Sequence, residues 1–339
     1  MKTKKKSYLI TGSSGFIGFS LSKFLLDKGF FVIGIDNMNS YYDVNLKKSR
    51  LKMLKKYKNF SFNEFDINEN KKVNKLFDKF KPKIVINLAA QAGVRFSILN
   101  PETYLKSNID GFFNILDASR KSKVEHFLYA STSSIYGENT SSSFNEDHNT
   151  DHPIQFYAAT KKSNEVMAHA YSAIYGLPST GLRFFTVYGP WGRPDMAIFK
   201  FTKSIIENKQ IKIFNEGNHS RSFTYIDDLV NAIFELSKDP AKPDKFWNSK
   251  KPRSSNSKYS HQIVNIGSNS SVKLMDLISI IEKNLGKNAK KKYLPLQKGD
   301  IKNSKANTKK LNSLIKIRSN VSIEHGIKNF IDWYKNFYL

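Results

Sequence analysis

A tyrosine and a lysine lie four residues apart in a segment that predicts a helix, and together they suggest proton transfer. Tyr157 and Lys161 would share one face of that helix, one turn apart. A phenol has an ordinary pKa of about 10, so it is a poor base at neutral pH unless a nearby cation lowers that pKa. Thr132 ends a predicted parallel strand, where ligands bind in such sheets, and its hydroxyl could share a substrate proton with Tyr157. These three residues are the candidate catalytic group.

A glycine-rich segment near the N-terminus has the composition of a dinucleotide-binding loop. Gly12, Gly15 and Gly18 recur at a wider spacing than the GxGxxG fingerprint, between an apolar run and a helical pattern. Glycine permits a tight turn, close approach of the backbone to a pyrophosphate, and close packing of helix on strand. Asp36 ends the next apolar run, where a carboxylate accepts hydrogen bonds from ribose hydroxyls and repels a 2′-phosphate. The pattern therefore favours NAD over NADP.

Further candidates for binding the dinucleotide surround these positions and follow the third and fourth predicted strands. They are Phe16, Ile17, Asn37, Asp66, Ile67, Leu88, Ala89 and Ala90, in addition to Tyr157 and Lys161. Two simpler interpretations stay open. Asp66 could be an ordinary turn carboxylate, and residues 88–90 could serve only to pack the core.

The elements that must position these residues alternate between strand and helix patterns. Short apolar runs predict strands, and patterns of helical period separate them. The predicted strands are residues 8–11, 31–36, 60–65, 84–88, 127–131 and 181–185, and the predicted helices follow Gly18 and cover 69–80, 101–119 and 157–175. Such repetition predicts an α/β protein with a doubly wound, Rossmann-like parallel sheet.

The second half of the chain is more mixed and predicts a smaller C-terminal α/β lobe. We expect residues 1–190 to form the NAD-binding domain and 191–339 mainly a substrate-binding lobe. The segments near 222–240 and 262–268 are expected to return to the first domain. Residues 239–260 are rich in Pro, Lys and Ser and predict a surface insertion, and the lysine tract at 287–292 predicts a solvated connection after a helix.

The charge balance of the chain is strongly basic, at a formal +26 over 339 residues. Only eight of the 55 cations are arginine, and the dispersed lysines are more typical of a solvated surface than of a nucleic-acid interface. There is no cysteine and no apolar run of the roughly 18 residues that a membrane span needs, and the histidines show no metal-ligand spacing. We expect a cytoplasmic protein with no bound metal, no nucleic-acid partner and no membrane partner.

Several longer blocks, together with the glycine loop and the Tyr–Lys pair, resemble the extended short-chain dehydrogenase/reductase family of nucleotide-sugar epimerases and dehydratases. The resemblance covers nearly the whole chain, and it is greatest to the branch that acts on UDP-glucuronate. The blocks are residues 36–43 (DNMNSYYD), 87–95 (NLAAQAGVR), 183–196 (RFFTVYGPWGRPDM), 223–228 (FTYIDD), 265–267 (NIG) and 297–300 (QKGD).

The resemblance implies an NAD-dependent isomerase that inverts C4 of a UDP-hexuronic acid through a 4-keto sugar. Tyr157, assisted by Thr132 and Lys161, would take the C4 hydroxyl proton while the C4 hydride passes to NAD and returns on the other face. It also implies a homodimer joined by the outward faces of the helices at 101–119 and 157–175.

The resemblance further implies a set of substrate contacts. Arg193 and Thr186 would hold the sugar carboxylate, a role that suits the planar fork of arginine. Arg221 would bind the diphosphate, and the remaining substrate-side candidates are Arg95, Thr132, Ser133, Gln297 and Asp300. Three of the eight arginines, Arg95, Arg183 and Arg193, fall within the blocks that carry the resemblance, and Arg221 lies just before one of them.

Ser133 and Ser134 separate this chain from neighbouring reactions. In the dehydratases of the family the equivalent Thr is followed by Asp-Glu, and related decarboxylases keep an acidic residue two places on. Neither serine can act as a carboxyl acid or base, so elimination and decarboxylation are disfavoured. Arg221-Ser222-Phe223 also replaces the usual Arg-Asp-Phe. Two alternatives remain: a 4-epimerase of a neutral or N-acetylated UDP-hexose, and a non-enzymatic NAD-binding sensor.

Overall fold

The β-strands of the protein are short and carry mostly apolar residues. The computed structural model describes residues 6–141, 143–297, 301–316 and 321–339. The strands are β1 (Ser7–Thr11), β2 (Phe31–Asp36), β3 (Phe60–Glu64), β4 (Ile84–Asn87), β5 (His126–Thr132), β6 (Ser179–Phe184), β7 (Thr186–Tyr188), β8 (Gln210–Phe214), β9 (Ser220–Arg221), β10 (Phe223–Tyr225), β11 (His261–Ile266), β12 (Val272–Lys273), β13 (Lys290–Leu294) and β14 (Asn303–Ser304).

The helices connect these strands and cover both faces of the main sheet. They are α1 (Phe16–Asp27), α2 (Val44–Leu54), α3 (Asn70–Phe80), α4 (Phe96–Leu99), α5 (Pro101–Tyr104), α6 (Gly111–Lys121), α7 (Phe156–Tyr175), α8 (Ala197–Ile206), α9 (Ile226–Lys238), α10 (Leu274–Leu285), α11 (Lys309–Leu314) and α12 (Ile323–Tyr338). No helix in the described part of the chain is long and apolar enough to cross a membrane.

The central sheet has seven parallel strands in the order β11-β6-β5-β4-β1-β2-β3. This confirms the doubly wound α/β fold that the alternating pattern predicted. The chain leaves β3 at one edge and returns as β4 beside β1, so the winding direction reverses between β1 and β4. Ligands of such sheets bind at the carboxyl ends of the strands around this reversal.

Two hydrophobic cores lie on opposite faces of the sheet. Successive side chains of a strand point to opposite faces, so in β1 Tyr8 and Ile10 enter one core while Leu9 enters the other. The first core also receives α1 and α9, and the second receives α3 and α6. The sheet is therefore buried on both faces, and this accounts for its nearly continuous apolar strands.

Two later segments pack against elements of the first 190 residues. Strand β11 pairs with β6 at the edge of the main sheet, and α9 packs against α1. The structure corrects our interpretation of the lysine tract at 287–292. Residues 290–294 form β13, which pairs in parallel with β8, instead of a solvated connection. Glu282 at the end of α10 accepts from the Ala289 amide at 2.8 Å and from Lys291 Nζ at 2.7 Å, so a carboxylate anchors the start of this strand.

Two local features depart from the expected helices. Helix α2 was not predicted, because its many lysines weaken the apolar pattern. The expected single helix over 101–119 is interrupted by a π-helical turn at Leu105–Asp110 between α5 and α6. Within that turn, Asn108 donates to Gln91 O at 3.1 Å and to Thr160 Oγ1 at 3.0 Å. The irregular turn thus ties the segment after β4 to helix α7.

Candidate active site

The glycine loop between β1 and α1 is built so that no side chain fits inside it. Gly12 has a φ of +70°, in the left-handed region that favours glycine. A Cβ on Gly18 would lie 2.0 Å from the carbonyl oxygen of Gly12, and a Cβ on Gly15 would lie 3.0 Å from the same oxygen. No side chain caps the N-terminus of α1, and the first residues of this helix line the cleft, as an anion-binding site requires.

Asp36 stands at the carboxyl end of β2, as the sequence predicted, and is almost fully buried. Its carboxylate accepts from the Ser14 amide at 3.0 Å and from the Met38 amide at 2.9 Å. It therefore links the glycine loop to the segment after β2. Lys47 of α2, also buried, brings Nζ to 4.0 Å from the Asp36 carboxylate.

The remaining cofactor candidates lie together along one cleft of about 1080 Å³ at the carboxyl ends of the strands. The Thr11 hydroxyl orients one wall by accepting from the Leu88 and Ala89 amides at 3.0 and 2.9 Å. On the opposite side, Asn37 Nδ2 donates to Asp66 at 2.7 Å. The predicted residues that line this cleft are Gly12, Gly15, Phe16, Ile17, Gly18, Asp36, Asn37, Asp66, Ile67, Leu88, Ala89, Ala90, Tyr157 and Lys161.

Thr132, Tyr157 and Lys161 meet on another wall of the same cleft. Thr132 ends β5, and its Oγ1 accepts from the Ser134 amide at 3.2 Å. Burial raises the pKa of Tyr157, while the charge of Arg193 and the Thr132 hydroxyl act in the opposite direction. Burial also lowers the pKa of Lys161 to about 8. The one-turn spacing in α7 thus places a phenol and a buried amine at the cleft, and the end of β5 adds a hydroxyl.

Arg193 lines the same cleft, close enough for its charge to affect the pKa of the Tyr157 phenol. Its guanidinium pairs with Asp195, from Nε to Oδ1 at 2.9 Å and from Nη2 to Oδ2 at 2.5 Å. Thr186, at the start of β7, lines the same cleft, as does Ser133. A cationic fork and two hydroxyls therefore line the same cleft as the candidate catalytic group.

The other substrate-side candidates are spread along the cleft and a smaller adjoining cavity of about 260 Å³. Arg95 borders both volumes and lies over the Phe214 ring, 5.0 Å from its centroid. Arg221 borders the smaller cavity, where Nη1 donates to the carbonyl oxygens of Ser220 and Lys302 at 3.0 and 2.8 Å. Gln297 lines the main cleft, whereas Asp300 lies outside the described residues.

Two arginines have roles that the sequence did not reveal. Arg183 lies in a block of family resemblance, yet it is fully buried and makes a two-bond pair with Glu165, at 3.0 and 2.9 Å. It packs behind the site and is not among the residues that line the cleft. Arg50 of α2, also fully buried, donates to Ser14 O at 3.0 Å and to Trp191 O at 2.5 Å. It joins the glycine loop to the segment that carries Arg193.

The parallel sheet and this cleft together define a dinucleotide-binding enzyme of the doubly wound class. The model of the NAD dependent epimerase/dehydratase family matches residues 8–249, so the chain belongs to that family. This confirms the family resemblance of the sequence blocks.

Two relatives and one solved structure match this chain over almost their whole length. Protein CapI of Staphylococcus aureus is 51% identical over 97% of this chain and 98% of its own. A probable UDP-glucuronate 4-epimerase of Rhizobium meliloti (strain 1021) is 42% identical over 98% and 97%. Among solved structures, the UDP-glucuronic acid 4-epimerase from Bacillus cereus, in complex with UDP-glucuronic acid and NAD, superposes with a TM-score of 0.87 at 32% identity, covering 98% and 100%.

The cleft fits the cofactor that the family name specifies. Its glycine loop leaves room for a pyrophosphate where any Cβ would collide with the loop backbone, and its buried Asp36 stands where a ribose is expected. Lys161 adds a buried amine beside the candidate catalytic phenol. NAD is the cofactor of this chain, as the sequence predicted.

Replacing Gly18 with alanine is expected to weaken NAD binding by at least about tenfold, because the new Cβ forces the loop backbone apart where it must approach the pyrophosphate. Calorimetric titration with NAD measures the effect. Gly286→Ala is the control, because nothing in the described part of the chain lies within 4 Å of its Cβ position. Gly286 has a positive φ (+64°), which Gly18 does not, so the control includes a backbone cost but no collision. An NAD affinity equal to that of the control variant would contradict this account of the loop.

Proposed function

We propose that this chain is an isomerase that interconverts UDP-glucuronate and UDP-galacturonate by NAD-dependent epimerisation at C4. The observation that carries the proposal is that two features line one cleft. One is the Thr132, Tyr157 and Lys161 group, and the other is the Arg193 fork with Thr186. The first suits a secondary alcohol, and the second suits a carboxylate on the same sugar. Relatives and solved structures named for UDP-glucuronate support the choice of substrate.

The chain's own residues manage the proton of the C4 hydroxyl. Tyr157 accepts this proton as a phenolate and returns it after the sugar has turned, while the Thr132 hydroxyl donates and accepts between the two oxygens. Lys161 favours the phenolate when its amine is charged, because an adjacent cation stabilises an anion. When bound, NAD supplies the hydride acceptor and donor for C4. Thr132 and Lys161 are buried beside this phenol.

A uronic acid raises a further chemical problem, which is the loss of its carboxylate as CO2. Oxidation at C4 makes the sugar a β-keto acid, which loses CO2 when the bond to its carboxylate aligns with the carbonyl π system. We propose that Arg193 and Thr186 hold the carboxylate out of that alignment, and that Ser133 assists. A guanidinium is suited to this because it binds both carboxylate oxygens in one plane. Ser133 and Ser134, which follow Thr132, provide no carboxyl acid or base for elimination.

We further propose that the nucleotide half of the substrate lies towards the smaller cavity. Arg221 and Arg95 border that cavity and supply positive charge for a diphosphate. Gln297 has a buried Oε1 that finds no partner in the described part of the chain, so it has an acceptor available for the nucleotide. Asp300 belongs to the same proposal by resemblance alone. On this division, residues 1–190 bind NAD and 191–339 mainly bind the UDP-sugar.

Nuclear magnetic resonance tests the proposed reaction directly. Purified chain incubated with UDP-glucuronate and NAD is expected to produce the anomeric and H4 signals of UDP-galacturonate. No inversion at C4, with NAD binding intact, would overturn the proposal. Both NAD and nucleotide sugars are cytoplasmic metabolites, and we propose a cytoplasmic location on that ground.

Replacing Asp36 with asparagine is expected to lower the preference for NAD over NADP by about a hundredfold, because a like-charge contact costs several kcal/mol. The Ser14 and Met38 amides bond to different oxygens of Asp36, so the asparagine keeps an acceptor for only one of them. The nearby Lys47 ammonium is then free to pair with a 2′-phosphate. Titration with both dinucleotides measures the ratio. Asp43→Asn, at the N-cap of α2, is the control. An unchanged ratio in Asp36→Asn would show that its charge does not select the cofactor.

We propose that the protein is a homodimer joined through the helices before β5 and before β6. Large apolar side chains face outward there, including Leu105, Phe113, Val166 and Ile174, of which Ile174 is 71% exposed. Such a face is unfavourable in water unless a partner covers it. Light scattering is expected to give twice the mass of one chain for the wild type. The double variant Val166→Asp, Ile174→Asp is expected to have the mass of a single chain.

The control for the dimer is Phe246→Asp, which places the same charge at an exposed aromatic in the surface insertion. This variant is expected to keep the wild-type mass. Two results would contradict the proposed interface. One is a wild type that has the mass of one chain at micromolar concentration, and the other is a control that dissociates as readily as the α7 variant.

A further inference from the structure

Asp195 occupies one edge of the Arg193 guanidinium. It accepts from Nε at 2.9 Å and from Nη2 at 2.5 Å, so two parallel bonds fix the plane of the fork. A guanidinium has five N–H groups, and this arrangement leaves those on Nη1 directed away from Asp195. Both residues border the cleft that holds Tyr157. Asp195 therefore determines which edge of Arg193 a ligand can meet.

A third residue holds Asp195 itself. The hydroxyl of Tyr41 donates to Asp195 Oδ2 at 3.4 Å, and the Tyr41 ring packs on Phe96, with 5.0 Å between their centroids. Burial raises the pKa of Asp195, but the charge and hydrogen bonds of Arg193 outweigh it and leave that pKa below its ordinary value. The carboxylate is thus ionised at neutral pH, and it is fastened to the segment after β2 as well as to Arg193.

The carboxylate of Asp195 would have an unfavourable effect if its only contribution were charge. Its negative charge lies near the place where we put the sugar carboxylate, and it offsets part of the Arg193 charge. Electrostatics alone therefore predicts weaker binding of an acidic sugar when Asp195 is present. Orientation predicts the opposite, because a guanidinium that is already held loses little rotamer freedom when a ligand arrives.

We propose that Asp195 is a positioning residue that sets the acid specificity of the site and keeps the sugar carboxylate from leaving as CO2. The inference rests on the proposed function, because it concerns how Arg193 receives that carboxylate. With Asp195 in place, the Nη1 edge meets the carboxylate at a fixed angle to the C4 carbonyl of the oxidised sugar. Without it, the fork turns, and the carboxylate reaches the angle at which its bond to the ring can break.

The side reaction that Asp195 prevents is decarboxylation of the 4-keto sugar. The bond from C5 to the carboxylate carbon breaks, its electron pair forms an enolate with the C4 carbonyl, and CO2 departs. A proton from water then gives a UDP-4-keto-pentose. C4 was oxidised at the expense of NAD, so one reduced nicotinamide remains for each CO2 released. Loss of orientation therefore leaves a spectroscopic signature that simple loss of activity does not.

Asp195→Asn is the direct test, made on the full-length chain loaded with NAD. The KM for UDP-glucuronate is expected to rise between about tenfold and a hundredfold, and the fraction of turnovers that end in decarboxylation is expected to rise several-fold. Reduced nicotinamide should accumulate in step with CO2. Calorimetric affinity for UDP-glucose should stay unchanged. Asp244→Asn, which alters another Asp–Arg pair in the surface insertion, is the control and should match the wild type.

Asp195→Glu separates position from charge. It keeps the negative charge but moves the carboxylate by one methylene, so it should resemble Asp195→Asn in its decarboxylated fraction. A Glu variant that behaves as the wild type, or an Asn variant that binds UDP-glucuronate more tightly with an unchanged product ratio, would overturn the inference. A wild type that shows no preference for UDP-glucuronate over UDP-glucose would instead overturn the proposed function. Thermal unfolding shows whether Asp195→Asn or Asp195→Glu fails to fold. If one of them does, the product ratio of the other tests the inference.

Discussion

Replacing Tyr157 with phenylalanine is expected to lower kcat for UDP-glucuronate epimerisation by about 10²–10⁴, the usual contribution of a positioned proton acceptor. The phenol is the group that meets both Thr132 and the charge of Arg193 at the cleft, and the variant removes only its oxygen. The ring remains to pack against Tyr104, whose centroid lies 6.1 Å away. The wall should keep its shape, so KM should change little while kcat collapses.

The measurement is the rate of inversion at C4, followed by nuclear magnetic resonance under saturating UDP-glucuronate. NAD affinity is determined in parallel, and it should remain within a few-fold of the wild type. Tyr175→Phe, at the other end of the same helix, is the matched control and should epimerise normally. A Tyr157→Phe variant that retains more than about a tenth of the wild-type kcat would require another proton acceptor.

Replacing Arg193 with alanine is expected to reduce kcat/KM for UDP-glucuronate by about 10²–10³. The Arg193–Asp195 pair is partly buried, and removing one member of such a hydrogen-bonded charge pair costs a few kcal/mol. Here the loss is compounded, because Asp195 is left without its guanidinium and faces the sugar carboxylate as an unpaired anion. The same variant should bind UDP-glucose almost as the wild type does, because that sugar has no carboxylate to hold.

Two comparisons make this result specific. Arg253→Ala removes an exposed arginine from the surface insertion and should leave kcat/KM unchanged. Arg193→Lys restores the charge without the planar fork and should recover only part of the loss. If Arg193→Ala lowers kcat/KM equally for UDP-glucuronate and UDP-glucose, then Arg193 supports the fold of the site and does not select the acid.

The parts of the site that the sequence predicts are those fixed by short spacing. A helix places residues four apart on one face, so the meeting of Tyr157 and Lys161 follows from their numbers alone. The glycine loop and Asp36 belong to one strand-helix-strand unit, and the topology of that unit determines where its loops lie. For the same reason, the doubly wound sheet follows from the order of its strands and helices.

The parts that the sequence does not predict depend on partners that are distant in the chain. Arg50 sits in a helix rich in lysine, and its partners Ser14 and Trp191 lie 36 and 141 positions away. The available signal was the spacing of Leu46, Arg50 and Leu54, which places Arg50 on the buried face of α2.

Arg183 shows why family resemblance does not distinguish a ligand contact from a buried support. Its block contains Arg193 as well, and both have the planar fork that suits a carboxylate. Only the structure shows that the partner of Arg183 is Glu165 of the chain itself, whereas Arg193 borders the open cleft. The large lysine excess is similarly uneven, because Lys47 and Lys161 are buried at the cleft.

The most direct test of the central claim compares UDP-glucuronate and UDP-glucose side by side with the same NAD-loaded preparation. The account predicts inversion at C4 of UDP-glucuronate, with a kcat/KM at least about a hundredfold above that for UDP-glucose, since the carboxylate adds a charge-assisted contact worth several kcal/mol. Equal or faster turnover of UDP-glucose, or no inversion of UDP-glucuronate, would contradict it.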